Sequence, residues 1–394
     1  MGANSIGNGA ASAVLYDRTP DFEANGNKNH RVELAVVGYG NWGSKHVRVL
    51  AGMPDVAVTV VDRDPLRLAE AGRAFPMVRL ESSLDRVLPE VDGVIVATPP
   101  RSHAGIAHAA MQSDCHVLVE KPLATSVAEC ERLIDAAELN RVLLMVGHTF
   151  EHDAAIWKLR DIANSGELGE IRYIDSARLN LGLFQQDVNV IWDLAPHDVS
   201  IINFILGRPP TGVSAWGHCH ANLGLEDVAH IQMRYEQTGV RAYIHVSWLD
   251  PVKVRRVTIV GSEKMVVYND LAGDQKIRIY DVGVEHGGNL DPAYGEPVKY
   301  RLGDIVSPRV TPQEPLAVQA AHMLNCMRTG AAPRTDGHSG LAVARVLEAA
   351  NDALHAGSEV LLETAPVIDL TIDPLPKPIY TQVPAPLLDS QATG

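Results

Sequence analysis

Three short motifs in this chain combine residue types that bind nucleotides and move protons. The first is the glycine-rich run Gly38-Tyr39-Gly40-Asn41-Trp42-Gly43. The second places Lys121 directly before a proline, and the third places Asp193 four residues before His197. Histidine titrates near neutral pH, and a buried lysine has a lowered pKa, so both residue types suit proton transfer. The three motifs together predict proton chemistry beside a bound nucleotide.

The glycine-rich run fits the GxGxxG pattern, whose glycines allow a tight turn, a close approach of pyrophosphate to the backbone and close packing of helix on strand. It follows the strand-like run VELAVV and opens a helix-like stretch, SKHVRVLAGM. Asp62 follows it 19 residues later, at the end of the next strand-like run. A glycine turn without a ligand is the alternative, and this context argues against it. We therefore predict a dinucleotide site that includes Gly38, Tyr39, Gly40, Asn41, Trp42 and Gly43.

Asp62 favours NAD as the cofactor, because its carboxylate should accept hydrogen bonds from the ribose hydroxyls and repel a 2'-phosphate. Arg63 leaves NADP open, since an arginine there could bind that phosphate, although an exposed arginine after a strand is more often only solvated. The segment Ala97-Thr98-Pro99-Pro100 ends the fourth strand, at the carboxyl edge where doubly wound sheets bind ligands. The remaining predicted cofactor contacts are Thr98, Pro99, His103, Glu120 and Lys121.

Two kinds of hydrophobic pattern divide the chain. Between Val32 and Gly147 the apolar runs VELAVV, VAVTVV, VIVAT, HVLVE and VLLMVG alternate with helical stretches, which predicts a doubly wound parallel sheet. Ser126 and Glu129 form a capping box for one crossover helix. After Phe150 the period becomes two, with a hairpin around Gln237-Thr238-Gly239, which predicts a mostly antiparallel sheet. Further strands are expected around 257–260, 264–268 and 277–280, and helices near 313–329 and 339–355.

We expect four segments. Residues 1–30 lack the basic start and apolar run of a signal peptide and predict a loose N-terminal extension. We expect residues 31–147 to form a Rossmann dinucleotide-binding domain. We expect residues 148–364 to form an α+β domain for substrate binding and oligomerisation. Residues 365–394 form a proline-rich C-terminal tail.

The composition excludes several classes of protein. With 34 Lys+Arg against 48 Asp+Glu, the formal net charge of -14 repels nucleic acid and anionic membrane surfaces. No uncharged apolar stretch approaches the roughly 18 residues that a membrane helix needs. The four cysteines show no zinc-type spacing, which favours reduced thiols and a cytoplasmic location.

The motif Glu120-Lys121-Pro122, the glycine motif and Trp192-Asp193-Leu194-Ala195-Pro196-His197-Asp198 together resemble the glucose-fructose oxidoreductase and inositol dehydrogenase family, Gfo/Idh/MocA. The likeness covers about residues 32 to 360. Within the family, WDLAPHD combined with GHTFEH resembles the branch that acts on nucleotide-linked sugars, often at C3. The resemblance also implies a homodimer or homotetramer formed through an exposed sheet face.

The resemblance implies a role for each residue of the predicted catalytic group. Lys121 would orient the reacting hydroxyl or carbonyl and relay its proton, and its bond to Pro122 is often cis in the family. His197 would be the general acid and base, while Asp193 would bind substrate or orient its neighbours. Spacing alone puts Asp193 and His197 on one helical face and places Pro196 in the first helical turn.

Other polar residues are weaker candidates. In His148-Thr149-Phe150-Glu151-His152 the zinc-protease pattern HxxEH lacks a long helix and a third ligand, so we keep only His148, as a substrate contact. A partly exposed strand accounts for His218 and His220 without a metal. We predict no metal site. Arg178, Asn180 and Asn189 could contact a polyhydroxylated or phosphorylated substrate, or belong to a polar loop.

These residues predict hydride transfer between NAD(P) and a secondary hydroxyl or ketone of a sugar, favouring C3 of a nucleotide-linked sugar. A dehydrogenase of a free sugar or cyclitol is one alternative. A glycosidase that oxidises its substrate transiently and regenerates its own NAD is a second. The third is a regulator that binds the cofactor without catalysis.

Overall fold

The computed structural model describes residues 31–182, 184–185, 187–221, 224–286 and 298–362. The predicted N-terminal extension at 1–30 and the tail at 365–394 lie outside the described residues.

The first part of the chain forms a six-stranded parallel sheet. Its strands and helices in chain order are β1 Val32–Val37, α1 Asn41–Ala51, β2 Val56–Val61, α2 Pro65–Ala74, β3 Arg79–Glu81, β4 Gly93–Val96, α3 His103–Met111, β5 His116–Val119, α4 Val127–Asn140 and β6 Leu144–Val146. The strand order is β3-β2-β1-β4-β5-β6, and every neighbouring pair is parallel. This is the Rossmann order, so the predicted doubly wound sheet is confirmed.

The strands of this sheet read as apolar runs because helices cover both of its faces. All four residues of β4 are buried, as are five of the six in β1. The sequence did not reveal β3, which has only three residues, RLE, and no buried position. At the start of α4 the Ser126 hydroxyl accepts from the Glu129 amide as predicted, but the Glu129 carboxylate accepts from Thr125 instead of Ser126.

The second part of the chain forms a nine-stranded sheet. Its strands and helices are α5 Ala154–Asn164, β7 Ile171–Leu181, α6 Val190–Leu206, β8 Gly212–His218, β9 Val228–Tyr235, β10 Val240–Ser247, β11 Leu249–Gly261, β12 Met265–Asn269, β13 Ile277–His286, β14 Val298–Val306, α7 Pro315–Thr329, α8 Gly337–Ala356 and β15 Val360–Leu361. The order is β14-β13-β12-β11-β7-β10-β9-β8-β15, in which β7 and β10 are the parallel pair. The predicted antiparallel sheet and its β9–β10 hairpin are confirmed.

Helices α5, α6 and α8 pack on one face of this sheet and form its core. The opposite face exposes aromatic side chains, among them Trp216, Tyr173 and Tyr243. Between the neighbouring strands β9 and β10, the rings of His230 and His245 stack with centroids 4.0 Å apart.

The last two long helices also cover the first sheet. Leu316, Ala320 and Met323 of α7 pack with the apolar residues of β1 and β2. Leu341 and Ala344 of α8 join the core on the other face. The sequence division at residue 147 therefore does not separate these helices from the Rossmann sheet.

Among the described residues, no helix is both long and apolar enough to cross a membrane.

Candidate active site

The glycine turn after β1 has the geometry that a dinucleotide needs. Gly38 has φ +93°, and a Cβ there would lie 2.7 Å from the Ala97 carbonyl oxygen. A Cβ on Gly43 would lie 1.8 Å from the Gly38 carbonyl oxygen, so α1 packs tightly on the turn. At Gly40, by contrast, a Cβ would meet nothing within 4 Å, which leaves room in front of the turn.

The N-terminus of α1 faces this turn. Gly40 is its N-cap, no side chain caps it, and its first turn has no acidic residue. Such a helix end attracts phosphate through its backbone amides and its dipole. The turn and the helix together fit the pyrophosphate of NAD. Beside them, Asn41 is exposed and the Lys45 ammonium lies 4.3 Å from the centre of the Trp42 ring.

Asp62 lies at the end of β2, beside the glycine turn. Its Oδ2 accepts from the Tyr39 amide at 2.7 Å, and its Oδ1 accepts from the Asp64 amide at 2.9 Å. Arg63 is exposed, whereas Arg67, which the sequence reasoning missed, has Nη1 3.7 Å from Asp62 Oδ2. The carboxylate is thus fixed where a ribose would lie against the turn.

The loop after β4 packs on the turn from the other side. Thr98 Cγ2 would lie 3.0 Å from a Cβ on Gly38, and Thr98 Oγ1 accepts from the Ser102 hydroxyl at 2.7 Å. Pro99 beside it is exposed. His103 was predicted as a cofactor contact, but both its ring nitrogens face backbone carbonyl oxygens, of Thr98 and Pro122, at 2.8 Å. The ring therefore holds the protein backbone and is not available to the cofactor.

Glu120, also predicted as a cofactor contact, is buried and paired within the protein. Its Oε1 lies 2.7 Å from His46 Nε2 on α1, and its Oε2 accepts from the Lys121 amide at 3.3 Å. Burial raises the pKa of Glu120, but the hydrogen bond and charge of His46 outweigh it, and the net pKa is lowered. The ionised carboxylate joins α1 to the end of β5, where Lys121 begins.

Lys121 meets Asp193 at the boundary between the two sheets. The Lys121 ammonium donates to the Asp193 carbonyl oxygen at 2.5 Å and to its Oδ1 at 3.2 Å, and its side chain is only 11% exposed. Asp193 Oδ2 accepts from the Trp248 indole at 3.0 Å. One carboxylate oxygen of Asp193 thus binds Lys121, while Trp248 holds the other and fixes the carboxylate. The Lys121–Pro122 peptide is cis.

Pro196 does not lie in the first turn of its helix, as the spacing predicted. Helix α6 begins at Val190 after the N-cap Asn189, so Pro196 is its seventh residue. A proline inside a helix has no amide hydrogen, and its ring pushes away the preceding turn. Asp193 lies in that preceding turn, and its carbonyl oxygen accepts from Lys121.

His197 lies one turn after Asp193 on α6. Its ring packs edge-on against Phe150, with centroids 5.2 Å apart. Burial, and then the positive charges of Lys121 and Arg178, lower the pKa of His197 well below its ordinary value. Its buried Nδ1 has no hydrogen-bond partner among the described residues. The ring is therefore neutral at pH 7 and can accept a proton.

His148 follows β6 and belongs to the same group. It is 1% exposed, and neither of its ring nitrogens has a hydrogen-bond partner in the described part of the chain. Burial lowers its pKa to about 4. The preceding residue, Gly147, lies against Glu120, since a Cβ on Gly147 would be 3.1 Å from the Glu120 Cα. An unpartnered buried imidazole needs a ligand or water to satisfy it.

Two of the three predicted substrate contacts that precede Asp193 have structural partners instead. Arg178 lies on β7, where its guanidinium forms a bidentate pair with Asp198 at 2.7 and 3.2 Å. Asn189 caps α6 by accepting from Trp192, and its amide donates to Glu226 and Asn351. Asn180 lies near the end of β7 and is half-buried.

The histidine patterns weighed for metal binding have other contacts. His148 precedes a short 3-10 helix, Thr149–His152, whose last residue is His152, and His152 Nδ1 accepts from Arg334 at 3.4 Å. His220 Nδ1 lies 2.8 Å from Asp227 Oδ1. Within the described ranges no group of three or more His, Cys, Asp or Glu side chains is arranged to hold a metal ion.

Besides Arg67 at the nucleotide turn, the sequence reasoning missed three residues around Lys121 and His197. Trp248 was predicted only as the last residue of the alternating run after Gln237-Thr238-Gly239. Phe150 served only as the point where the pattern changes, and Asp198 only as the end of a motif. A buried aspartate adjoining a candidate base, and an indole at the end of a strand, are the signals that could have found two of them.

Comparisons with known proteins identify the family of the chain. Residues 32–148 match the model of an oxidoreductase family with an NAD-binding Rossmann fold, GFO_IDH_MocA, and residues 156–267 match the C-terminal domain of the same family. The N-terminal domain is therefore an NAD-binding Rossmann domain.

Three relatives illustrate the likeness. UDP-N-acetylglucosamine 3-dehydrogenase of Acidithiobacillus ferrooxidans is 34% identical over 194 residues, 47% of this chain and 58% of its own length. A crystal structure of that enzyme, GnnA, superposes with a TM-score of 0.68 at 26% identity, covering 82% of this chain and 97% of that one. The dTDP-3,4-didehydro-2,6-dideoxy-alpha-D-glucose 3-reductase of Saccharopolyspora spinosa is 34% identical over 148 residues, 36% of this chain and 43% of its own length.

The third relative is an oxidoreductase of Magnetospirillum magnetotacticum, whose structure is 30% identical with a TM-score of 0.66 and covers 81% of this chain and 99% of that one. The sequence matches to the two curated enzymes thus span about half of their lengths. The domain models and the full-length structural matches together establish that the chain belongs to the Gfo/Idh/MocA oxidoreductase family.

Proposed function

We propose that the chain is an NAD-dependent dehydrogenase or reductase that transfers a hydride to or from a secondary alcohol carbon of a sugar. One observation carries the proposal: Asp193, which holds the Lys121 ammonium at the carboxyl edge of the NAD-binding sheet, lies one helical turn before the neutral ring of His197. A proton donor and a proton acceptor are both present where a reacting oxygen would bind.

Bound NAD+ supplies the hydride acceptor, at C4 of its nicotinamide. Lys121 binds and orients the substrate oxygen, and His197 takes the hydroxyl proton. Because burial and two neighbouring cations oppose a positive charge on His197, the ring passes the proton on to solvent once the carbonyl has formed, so that alcohol and NAD+ give ketone, NADH and one released proton. Reduction of a ketone uses the same groups in reverse. Asp193 acts by fixing Lys121, and His148 contacts another substrate oxygen.

The substrate we propose is a nucleotide-linked sugar, with C3 as the reacting carbon. Two relatives that share 34% identity with parts of this chain have names that specify a nucleotide-linked sugar and its position 3. The unpartnered nitrogens of His148 and His197 provide hydrogen bonds for adjacent hydroxyls. Asn180 on β7 is a further candidate contact. The exposed aromatic face of the second sheet supports the homodimer or homotetramer.

The proposal is tested by measuring the rate of turnover of UDP- and dTDP-linked hexoses, free sugars and inositol. The rate is monitored through the absorbance of NADH. With the best substrate, Lys121→Ala should lower kcat by about 100- to 10,000-fold and change the Kd for NADH by less than about 3-fold. Lys264→Ala is the matched control, because Lys264 is a surface lysine that pairs with Glu167. An unchanged kcat in Lys121→Ala would refute the assignment of Lys121.

The same panel separates the alternatives. Turnover of free sugars or inositol alone would replace the nucleotide-linked substrate by a free sugar or cyclitol. Release of free sugar without net NADH would show a glycosidase. Tight NADH binding with no turnover of any compound would show a regulator.

A further inference from the structure

His103 lies between two backbone carbonyl oxygens and joins the two loops that frame the site. Its Nδ1 is 2.8 Å from the Pro122 oxygen, and its Nε2 is 2.8 Å from the Thr98 oxygen. The residue is 1% exposed, so water does not compete for either contact.

The neutral ring of His103 cannot donate a hydrogen bond to both carbonyl oxygens at once. A neutral imidazole carries a single N–H, and a carbonyl oxygen can only accept. A neutral His103 therefore donates to one of the two oxygens and turns a lone pair towards the other. Burial, the largest influence, lowers the pKa of His103, although the two carbonyl oxygens and Glu120 act in the opposite direction. The neutral ring is thus the form to consider at pH 7.

Each carbonyl belongs to a different part of the site. Thr98 packs on the glycine turn, 3.0 Å from the position of a Cβ on Gly38, so it lies on the nucleotide side. Pro122 directly follows Lys121, whose ammonium is held by Asp193. A hydrogen bond to one oxygen restrains the nucleotide side, and a hydrogen bond to the other restrains the backbone of Lys121.

We propose that His103 is a positioning residue that shares its single ring proton between two tasks: with the proton on Nδ1 it holds the backbone of Lys121 through the Pro122 carbonyl, and with the proton on Nε2 it holds the cofactor side through the Thr98 carbonyl. The effect on catalysis rests on the proposed function. The effect on NADH binding does not, because it depends only on the NAD-binding turn.

Two substitutions separate the tasks. In His103→Asn the amide nitrogen takes the place of Nδ1 and can still donate to Pro122. In His103→Gln it reaches the place of Nε2 and can still donate to Thr98. Loss of one hydrogen bond is expected to change an affinity or a rate by about 10-fold. His103→Asn keeps only the contact to Pro122, so it should raise the NADH Kd by up to about 10-fold and lower kcat by less than about 3-fold, and His103→Gln should do the reverse.

The Kd is measured by NADH fluorescence without substrate, and kcat with the best sugar of the panel. His108→Gln is the control, since His108 is an exposed histidine on the same helix. Equal losses in both variants would overturn the proposal, because a purely structural ring would not split Kd from kcat. If wild type binds NADH but turns over no sugar, the proposed function fails, and the Kd of the two variants still decides the Thr98 contact.

A second measurement does not need the variants to fold. The ¹⁵N NMR shifts of the His103 ring in the wild-type protein show whether one or both nitrogens carry a proton. A singly protonated ring at pH 7 is expected. A doubly protonated ring would donate to both carbonyls at once and would overturn the division of tasks.

Discussion

Replacing Gly40 with alanine should weaken NAD binding without weakening the fold. Gly40 has φ -89° and ψ -156°, an extended conformation that alanine adopts, and its new Cβ would meet no protein atom within 4 Å. Alanine is a poorer N-cap than glycine but restricts the unfolded chain, and these opposite effects on stability are each about 0.5 to 1 kcal/mol. The midpoint of thermal unfolding without cofactor should therefore stay close to that of wild type.

The methyl group would occupy the space into which the pyrophosphate has to come. Loss of one charge-assisted hydrogen bond from a helix amide costs about 1.5 to 3 kcal/mol, which corresponds to about 10- to 100-fold in Kd. Titration of each protein with NADH, followed by fluorescence, measures this change directly.

Gly43→Ala is the matched comparison. Its Cβ would lie 1.8 Å from the Gly38 carbonyl oxygen, so the turn or α1 must move. Overpacking of this kind costs about 1 to 3 kcal/mol or more, and the protein should unfold at a lower temperature even without cofactor. If Gly40→Ala binds NADH as tightly as wild type, the space in front of the turn does not hold the pyrophosphate and the reasoning fails.

Two further predictions concern buried charges. Asp198→Ala leaves the Arg178 guanidinium without its ion-pair partner in the core beneath the second sheet. The free energy of unfolding, measured in urea, should therefore fall by about 3 to 5 kcal/mol. Addition of Arg178→Met should recover most of the loss, and equal instability of the single and double variants would contradict this. Burial raises the pKa of Glu151 to about 7, against the opposing effects of Ser200 and Arg334. The folded protein therefore holds a proton that the unfolded chain releases at lower pH, so stability contributed by this group is lost as pH rises towards 7. Glu151→Gln should show a smaller fall in unfolding temperature between about pH 5 and pH 8 than wild type, and an identical fall would contradict the assignment.

The parts of the fold that follow one clear period could be predicted from the sequence. Continuous apolar runs indicate strands that are buried on both faces, as in β1, β2, β4 and β5. Alternation of apolar and polar residues indicates strands that are buried on one face, as in β9 and β10. Strand β7 was harder, because it turns Ser176 and Arg178 into the core. Both side chains bind Asp198 there. An ion pair inside a sheet interrupts the alternation that marks a strand.

The candidate site was predictable to the extent that its residues belong to continuous motifs. Lys121, Asp193 and His197 were named from spacing and resemblance, and the structure brings Lys121 and Asp193 into contact. Their roles stay predictions. Contacts between residues that are far apart in the sequence could not be predicted in this way. The pairing of Glu120 with His46 crosses 74 positions, and that of Trp248 with Asp193 crosses 55.

The position of α7 bears on how this protein is made. One face of the NAD-binding sheet is completed by Leu316, Ala320, Met323 and Leu324, which are synthesised 170 to 178 residues after Val146, the end of the last strand of that sheet. During synthesis the apolar face of the first sheet therefore stays exposed until the second sheet and α7 have been translated. A chaperone, or the growing chain itself, has to shield that surface until the late helix arrives.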